Sequence, residues 1–173
     1  MNHLIRVSQE KNVERYINNT RRFLSGLVYE YPMHNEWFRG VASEMRSDLH
    51  KGREILLIVR DDEYIMGAAV LKKSNSEKKI CCFRIAPIYQ GQGLGTLLMK
   101  ESFKILETEK PVITVSGQRA GQFKKILSYF QFSVERVYYE KYRPLTAEYC
   151  YNGILLPESI IKPTIHADDC TIA

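Results

Sequence analysis

Three glycines on alternate positions, Gly91, Gly93 and Gly95, separate a strand-like segment from a helical one and constrain the chain more than any other feature. Ahead of them Phe83 and Ile85 alternate with Arg84, the period of a strand. Pro87 lacks an amide donor and ends a ladder. From Leu94 onward, Leu94, Leu97, Leu98, Ile105 and Leu106 share one side of a helix, with Lys100, Lys104 and Glu107 on the other. A strand, a glycine loop and a helix start make an anion cradle. The first amides of a helix have no internal partner, and the helix dipole adds positive potential there. Glycines let a phosphate approach the backbone closely.

Two common phosphate motifs do not fit. A P-loop places Lys directly after its last glycine, whereas Gly95 is followed by Thr96. A dinucleotide fingerprint has its third glycine three residues after the second; that position is Thr96, and the stretch lies mid-chain. Gln90-Gly91-Gln92-Gly93-Leu94-Gly95 resembles the Gln/Arg-x-x-Gly-x-Gly/Ala motif of the GNAT superfamily of acyl-CoA-dependent N-acyltransferases. The flanks agree: Phe83, Ile85 and Pro87 give apolar-x-apolar-x-Pro before it, and Leu97-Leu98 follow.

A chain of 173 residues, 45% hydrophobic, has the size and apolar content of one domain with a proper core. Met1 to Tyr16 lack the apolar stretch of a signal peptide, and the runs Ile55–Val59 and Ile65–Leu71 are too short to span a bilayer. No membrane association is expected. The four cysteines, Cys81, Cys82, Cys150 and Cys170, have no Cys-x-x-Cys spacing and the four histidines are scattered, so no metal site is expected and a reducing cytoplasm fits. The net charge of +5 permits an anionic partner, which coenzyme A already supplies, so it does not demand nucleic acid.

Read in order, residues 3–7 form a first strand, and Ser8 is a candidate cap for a helix through Val13, Tyr16 and Ile17 to Leu24. Gly26 and Tyr31-Pro32 mark a break. A second helix spans about 35–50, with Gly52 as terminator. Strands at 54–60 and 64–72 form a hairpin around Asp61-Asp62-Glu63. Residues 73–79 read as an exposed loop, and 79–85 as the strand entering the cradle. A strand at 112–116, a helix at 119–130 and a closing pair at 132–142 and 147–155 follow. This order resembles the GNAT arrangement over residues 3–155: a single α/β domain with a central mixed, mostly antiparallel sheet flanked by helices, and a splayed parallel strand pair at the cofactor site. Residues 156–173 read as a loosely ordered tail.

The resemblance implies acetyl-CoA as co-substrate. It puts pantetheine on the strand Phe83–Ile85, which runs parallel to 112–115 and parts from it near Pro87, with the Ile85 amide toward the thioester oxygen. The pyrophosphate goes to the loop of Gln90, Gly91, Gln92, Gly93, Leu94, Gly95 and Thr96. Many members protonate the leaving thiolate with a Tyr on the last helix, four residues after a small residue and a few before Gly-Phe. Here Gln131-Phe132 takes the Gly-Phe place and Leu127 the Tyr place, which leaves Tyr129 and Ser116 as candidate donors. No carboxylate lies on the strand 79–85; by the resemblance, the elements that line the acceptor groove offer Glu148, Glu140, Glu36 and His34 as candidate bases. Tyr138, Tyr139, Tyr142, Tyr149 and Tyr151 cluster in the last two strands, where they serve either an acceptor wall or the core.

The expected activity is acetyl transfer from acetyl-CoA to a primary amine of a small molecule or a protein. Two alternatives stay open: a toxin-type acetyltransferase of aminoacyl-tRNA, with Lys72, Lys73, Lys78, Lys79, Arg119, Lys124 and Lys125 toward phosphates, and a coenzyme A-binding module without transfer chemistry. The acceptor is not legible, and a homodimer is compatible with the sequence.

Overall fold

The computed structural model describes residues 2–47, 52–61 and 64–156. Among these the strands and helices run β1 (Asn2–Arg6), α1 (Val13–Leu24), α2 (His34–Arg46), β2 (Arg53–Arg60), β3 (Tyr64–Lys73), β4 (Lys78–Ile85), α3 (Leu94–Leu106), β5 (Val112–Ser116), α4 (Ala120–Tyr129), β6 (Val134–Tyr139) and β7 (Ala147–Tyr151). The strands form one sheet in the order β1-β2-β3-β4-β5-β7-β6, which puts β4 at its centre. The neighbouring pairs are antiparallel except β4–β5, which is parallel.

Each sheet face buries its own apolar cluster. On one, Ile55, Leu57, Val59, Ala68 and Val70 meet Ile17 and Leu24 of α1 and Phe38, Val41 and Met45 of α2. On the other, Leu56, Ile58, Ala69, Leu71, Ile80, Ile113 and Val115 meet Leu98, Met99, Phe103 and Leu106 of α3 and Leu127 of α4. Even and odd positions of β2 divide between the clusters, as the two-residue period of a strand requires.

Two irregularities of β4 shape the middle of the sheet. Ile80 pairs with Leu71 and Cys82 with Val70, so Cys81 is an extra residue, a β-bulge. The bulge exchanges the faces. Ile80 before it and Phe83 and Ile85 after it all pack with the α3 cluster, whereas Cys82 packs with the α1–α2 cluster. Second, β4 and β5 pair only at Lys79–Val112 and Ile80–Ile113. They part at the bulge rather than near Pro87, where the sequence suggested, because the extra residue turns the strand out of register.

Several boundaries differ from the sequence reading. Asn12, not Ser8, caps α1, accepting from the Arg15 amide at 3.1 Å. Ser8 instead donates its hydroxyl to Glu54 at 2.6 Å. Residues Ser25–Tyr29 add a 3-10 turn after α1 rather than stopping at Gly26. The second helix ends at Arg46, and residues 48–51 lie outside the described residues, as do Asp62, Glu63 and 157–173 of the expected turn and tail. The expected exposed loop 73–79 shortens to a turn at 74–77 between β3 and β4, and both Glu77 in that turn and Lys79 of β4 are buried. Leu97 is more exposed than its helical phase suggests, at 39%.

Candidate active site

The parting of β4 and β5 opens a continuous groove of about 1070 Å³ that passes from the glycine loop through the gap to the face of α1 and α2. Beyond Ile80 the edge of β4 facing β5 has no strand partner. Phe83 of β4 and Phe123 of α4 meet edge to face across the gap, with ring centroids 6.2 Å apart.

At one end the glycine loop is held open by its own side chains. Gln90 Nε2 donates to Ile85 O and Gln92 Nε2 to Ile88 O, both at 3.1 Å. Gly91 and Gly93 have φ of 76° and 81°, the left-handed region, and a Cβ on either would meet nothing within 4 Å. Glycine is needed there for backbone conformation, and the space outside is open. Gly93 caps α3, and Leu97 N donates to Gly93 O at 3.1 Å. The preceding amides, Gly91 to Thr96, donate to no backbone carbonyl among the described residues. A run of free N–H groups at a helix start fits a diphosphate. Gly95 serves packing instead. A Cβ there would meet Ile126 Cδ1 at 3.4 Å, so its smallness lets α3 approach α4. Gly67, one of the small residues of β3, likewise makes room for Ile85, whose Cδ1 a Cβ would meet at 2.6 Å.

The candidate catalytic residues occupy different depths. Tyr129 is exposed at 64% and lines the cofactor end of the groove beside Ile126, its ring edge against Phe130. Leu127, the position counted from Gln131-Phe132, is buried in the core. Ser116 ends β5, lines the groove and is buried. Glu148 stands directly opposite Ser116 on β7 and is also buried, at 1% exposure. It lies beneath the groove lining rather than in it. Ser116 Oγ and Glu148 Oε2 have no hydrogen-bond partner. Burial raises the Glu148 carboxyl to about 7, against the Tyr31 phenol and the charge of Lys79, which lower it. The Tyr31 phenol is itself raised, by burial first and by Glu148 next, while Ser116 opposes the shift. Tyr31, Ser116 and Glu148 thus form one coupled polar cluster in which the two orphaned oxygens have no bond of normal geometry.

The other candidate bases divide. Glu36 is exposed and pairs with Arg39 on α2, and Glu140 is an exposed residue of the groove rim. His34 lines the groove, is buried, and keeps Nε2 unpartnered. Burial and the nearby Arg84 charge lower its pKa, so it is neutral at pH 7.

Sequence reasoning missed Tyr31, Lys79 and Lys141 as site residues. Tyr31-Pro32 signalled only a break, Lys79 entered only as a phosphate contact of the aminoacyl-tRNA alternative, and Lys141 was not singled out. Of the tyrosine cluster, Tyr142 reaches the groove and packs edge to face on Tyr31 at 5.7 Å. Tyr138 instead accepts from the Leu155 amide at 3.0 Å. The segment carrying Tyr31 is tethered across the groove: Glu30 pairs with Arg119 at the start of α4, and Arg143 donates to Tyr29 O at 3.3 Å. Among the described residues no group of three His, Cys, Asp or Glu could hold a metal ion, and no helix is long and apolar enough to cross a membrane. Cys81, Cys82 and Cys150 are free thiols.

Comparison with solved structures gives folds of the same kind. A protein assigned to the GNAT family of acetyltransferases from Desulfovibrio desulfuricans superposes with a TM-score of 0.68 at 16% identity, covering 87% of this chain and 97% of its own. The ribosomal-protein-S18-alanine N-acetyltransferase of Escherichia coli gives 0.61 at 14% identity, over 87% of this chain and 92% of its own. A structure from Bacillus anthracis, described as a streptothricin acetyltransferase in complex with acetyl coenzyme A, gives 0.50 at 18% identity, over 58% and 63%. No curated protein matches by sequence. The profile of the acetyltransferase (GNAT) domain family matches residues 25–123, a span that contains the bulged strand, the glycine loop and the start of α4. With that match over more than half its length, the chain belongs to the GNAT acetyltransferase family.

Proposed function

We propose that the chain transfers the acetyl group of acetyl-CoA to a primary amine. The observation that carries this reading is the parting of β4 from β5 after Ile80, beside a run of free amides at the start of α3. The amides of Gly91 to Thr96 hold the diphosphate, and the unpaired edge of β4 holds the pantetheine arm between Phe83 and Phe123. Acetyl-CoA supplies an acyl group activated as a thioester. The chain must then take a proton from the amine and give one to the sulfur as it leaves.

In this reading Glu148 is the proton acceptor. Its carboxyl, held near 7 by burial, is half ionised at neutral pH. It lies beneath the lining, so the proton reaches it through the Tyr31 hydroxyl or a water beside Ser116. Tyr129 or Ser116 protonates the thiolate. The domain is taken as residues 3–155, acting in a reducing compartment that suits its free thiols. The relatives named above act, by their names, on a ribosomal protein alanine and on streptothricin. That spread supports an amine acceptor and does not choose one.

Thiol release from acetyl-CoA across a panel of amines tests the reading. Amine-dependent release at a rate above hydrolysis supports it. Tight coenzyme A binding with no release from any amine would leave a binding module instead.

A further inference from the structure

The acceptor end of the groove has an uneven charge pattern. Among the cations that line the groove are Arg53, Lys72, Lys79 and Lys141. Arg53 pairs with Glu44 at 3.0 Å and Lys72 with Glu77 at 2.9 Å. Lys79 and Lys141 have no carboxylate partner among the described residues. Lys79 is 7% exposed, and what it exposes faces the groove. It sits where β4 and β5 part, on the residue paired with Val112. Lys141 arrives from the turn after β6, with its ammonium 5.8 Å from the Tyr138 ring. The two charges are close enough that Lys79, after burial, depresses the pKa of Lys141. The anion that Lys79 senses is Glu148, which is itself buried and half protonated at neutral pH.

A buried ammonium without an ion-pair partner, whose nearby carboxyl is only half ionised, is costly, and two near each other cost more. Such a pair is retained where a ligand supplies the missing negative charge. The cluster of Tyr31, Ser116 and Glu148 adjoins this pair: Tyr31 and Ser116 line the same groove as the two lysines, and the charge of Lys79 acts on Glu148 beneath the lining.

We propose that the acceptor amine also carries an anionic oxyacid group, carboxylate or phosphate, which sits between Lys79 and Lys141 while its nitrogen faces Tyr31 and Ser116. This rests on the acetyl-transfer reading and narrows it to a zwitterionic small molecule. A polyamine would bring further positive charge to two unpaired ammonium groups. The reaction keeps its balance: the nitrogen gains the acetyl carbon and loses one proton, the carbon–sulfur bond breaks, and the sulfur gains one proton. The anionic group takes no part in bond changes.

The test uses acceptors of matched length with the full chain: β-alanine, 3-aminopropyl phosphate, propylamine and 1,3-diaminopropane. Thiol release is followed for each, and binding is titrated calorimetrically with the cradle already saturated by coenzyme A. The expected result is a preference for β-alanine or the aminophosphate, whichever source of negative charge fits. Lys141→Met and Lys79→Met should each lower the ratio of kcat/KM for that acceptor to kcat/KM for propylamine by roughly 10- to 100-fold, the loss of one charge-assisted bond; the effect of Lys79 on Glu148 is common to both acceptors and cancels in the ratio. Lys141 is half-buried, so its variant keeps the test valid if Lys79→Met fails to fold. Equal or better use of propylamine or the diamine, unaffected by either variant, would overturn the anion site while acetyl transfer stands. Bound coenzyme A with no release and no calorimetric binding of any of the four would overturn both.

Discussion

Ser116 and Glu148 are directly opposed across the β5–β7 pair, and neither Ser116 Oγ nor Glu148 Oε2 has a hydrogen-bond partner. Neighbours in an antiparallel pair point to the same face. Two polar side chains are therefore buried side by side, Ser116 in the groove lining and Glu148 beneath it, with Tyr31 as their common neighbour. Unsatisfied buried polar atoms are costly, and in an enzyme they mark groups that a bound substrate completes.

The first prediction follows from the Glu148 carboxyl. With a pKa of about 7, it accepts a proton only above that pH. The rate kcat/KM should rise with pH and level off above about 7. Glu148→Gln should flatten that limb and lower kcat by roughly 10²–10⁴-fold. Comparing both proteins with one amine cancels the titration of the amine itself. An unchanged limb in the variant would remove Glu148 from the reaction.

The same carboxyl has a stability signature of definite sign. Its folded pKa of about 7 lies above the reference value of 4.5, so the folded state holds the proton more tightly. That contribution is fully present below about 4.5 and is lost as pH rises to about 7. Its size is on the order of 3 kcal/mol from the shift alone. Denaturant titrations at pH 5 and pH 8 should show Glu148→Gln gaining on the natural protein at the higher pH. An equal difference at both values would mean that the carboxyl is not perturbed.

Much of the fold was legible in the sequence, and the site only at one end. The glycine loop is local: strand period, Pro87, three glycines and the helical phase from Leu94 lie within a few residues. The bulge at Cys81 is not local. It exists because β3 and β4 differ by one residue between Val70–Cys82 and Leu71–Ile80, which needs both strands in view. It also moved the parting of β4 and β5 back to Ile80. Glu148 was legible only as one of four candidate bases, because Ala147 to Tyr151 carries no marker of which face is covered. Tyr31 reaches the site from a segment far ahead of its neighbour Ser116 in the chain, held there by the Glu30–Arg119 pair. Such convergence leaves no spacing to read.

Gly93→Asp should abolish coenzyme A binding while the domain stays folded. Its φ of 81° disfavours any side chain by roughly 1–2 kcal/mol, a local cost. The carboxylate would project into the open space before the free amides and repel a diphosphate. Calorimetric titration with coenzyme A checks this. Unchanged affinity would dissociate the loop from the cofactor.

Tyr129→Phe should lower kcat with little change in acetyl-CoA affinity, since the ring still packs on Phe130 and only the hydroxyl is lost. Ser116→Ala is the paired variant. Proton donation to a leaving thiolate contributes roughly 10²–10⁴-fold. Full kcat in both would exclude both hydroxyls as donors and direct attention to Tyr31 and Tyr142, whose phenols line the same groove.

Leu127 offers the converse test. By the resemblance, and counting from Gln131-Phe132, it stands where a proton-donating tyrosine is expected, yet it is 2% exposed and packs in the cluster of Leu98, Met99 and Val115. A phenol there would have to displace core atoms and would face α3 and the sheet rather than the groove. Leu127→Tyr should therefore leave kcat no higher than that of the natural protein. Overpacking a close-packed core costs about 1–3 kcal/mol. For a chain of this size that is a fall in Tm of roughly 3–10 °C, readable by calorimetry. A rise in kcat with Tm unchanged would show that α4 turns this position toward the thiolate, and Tyr129 would lose its claim to the role.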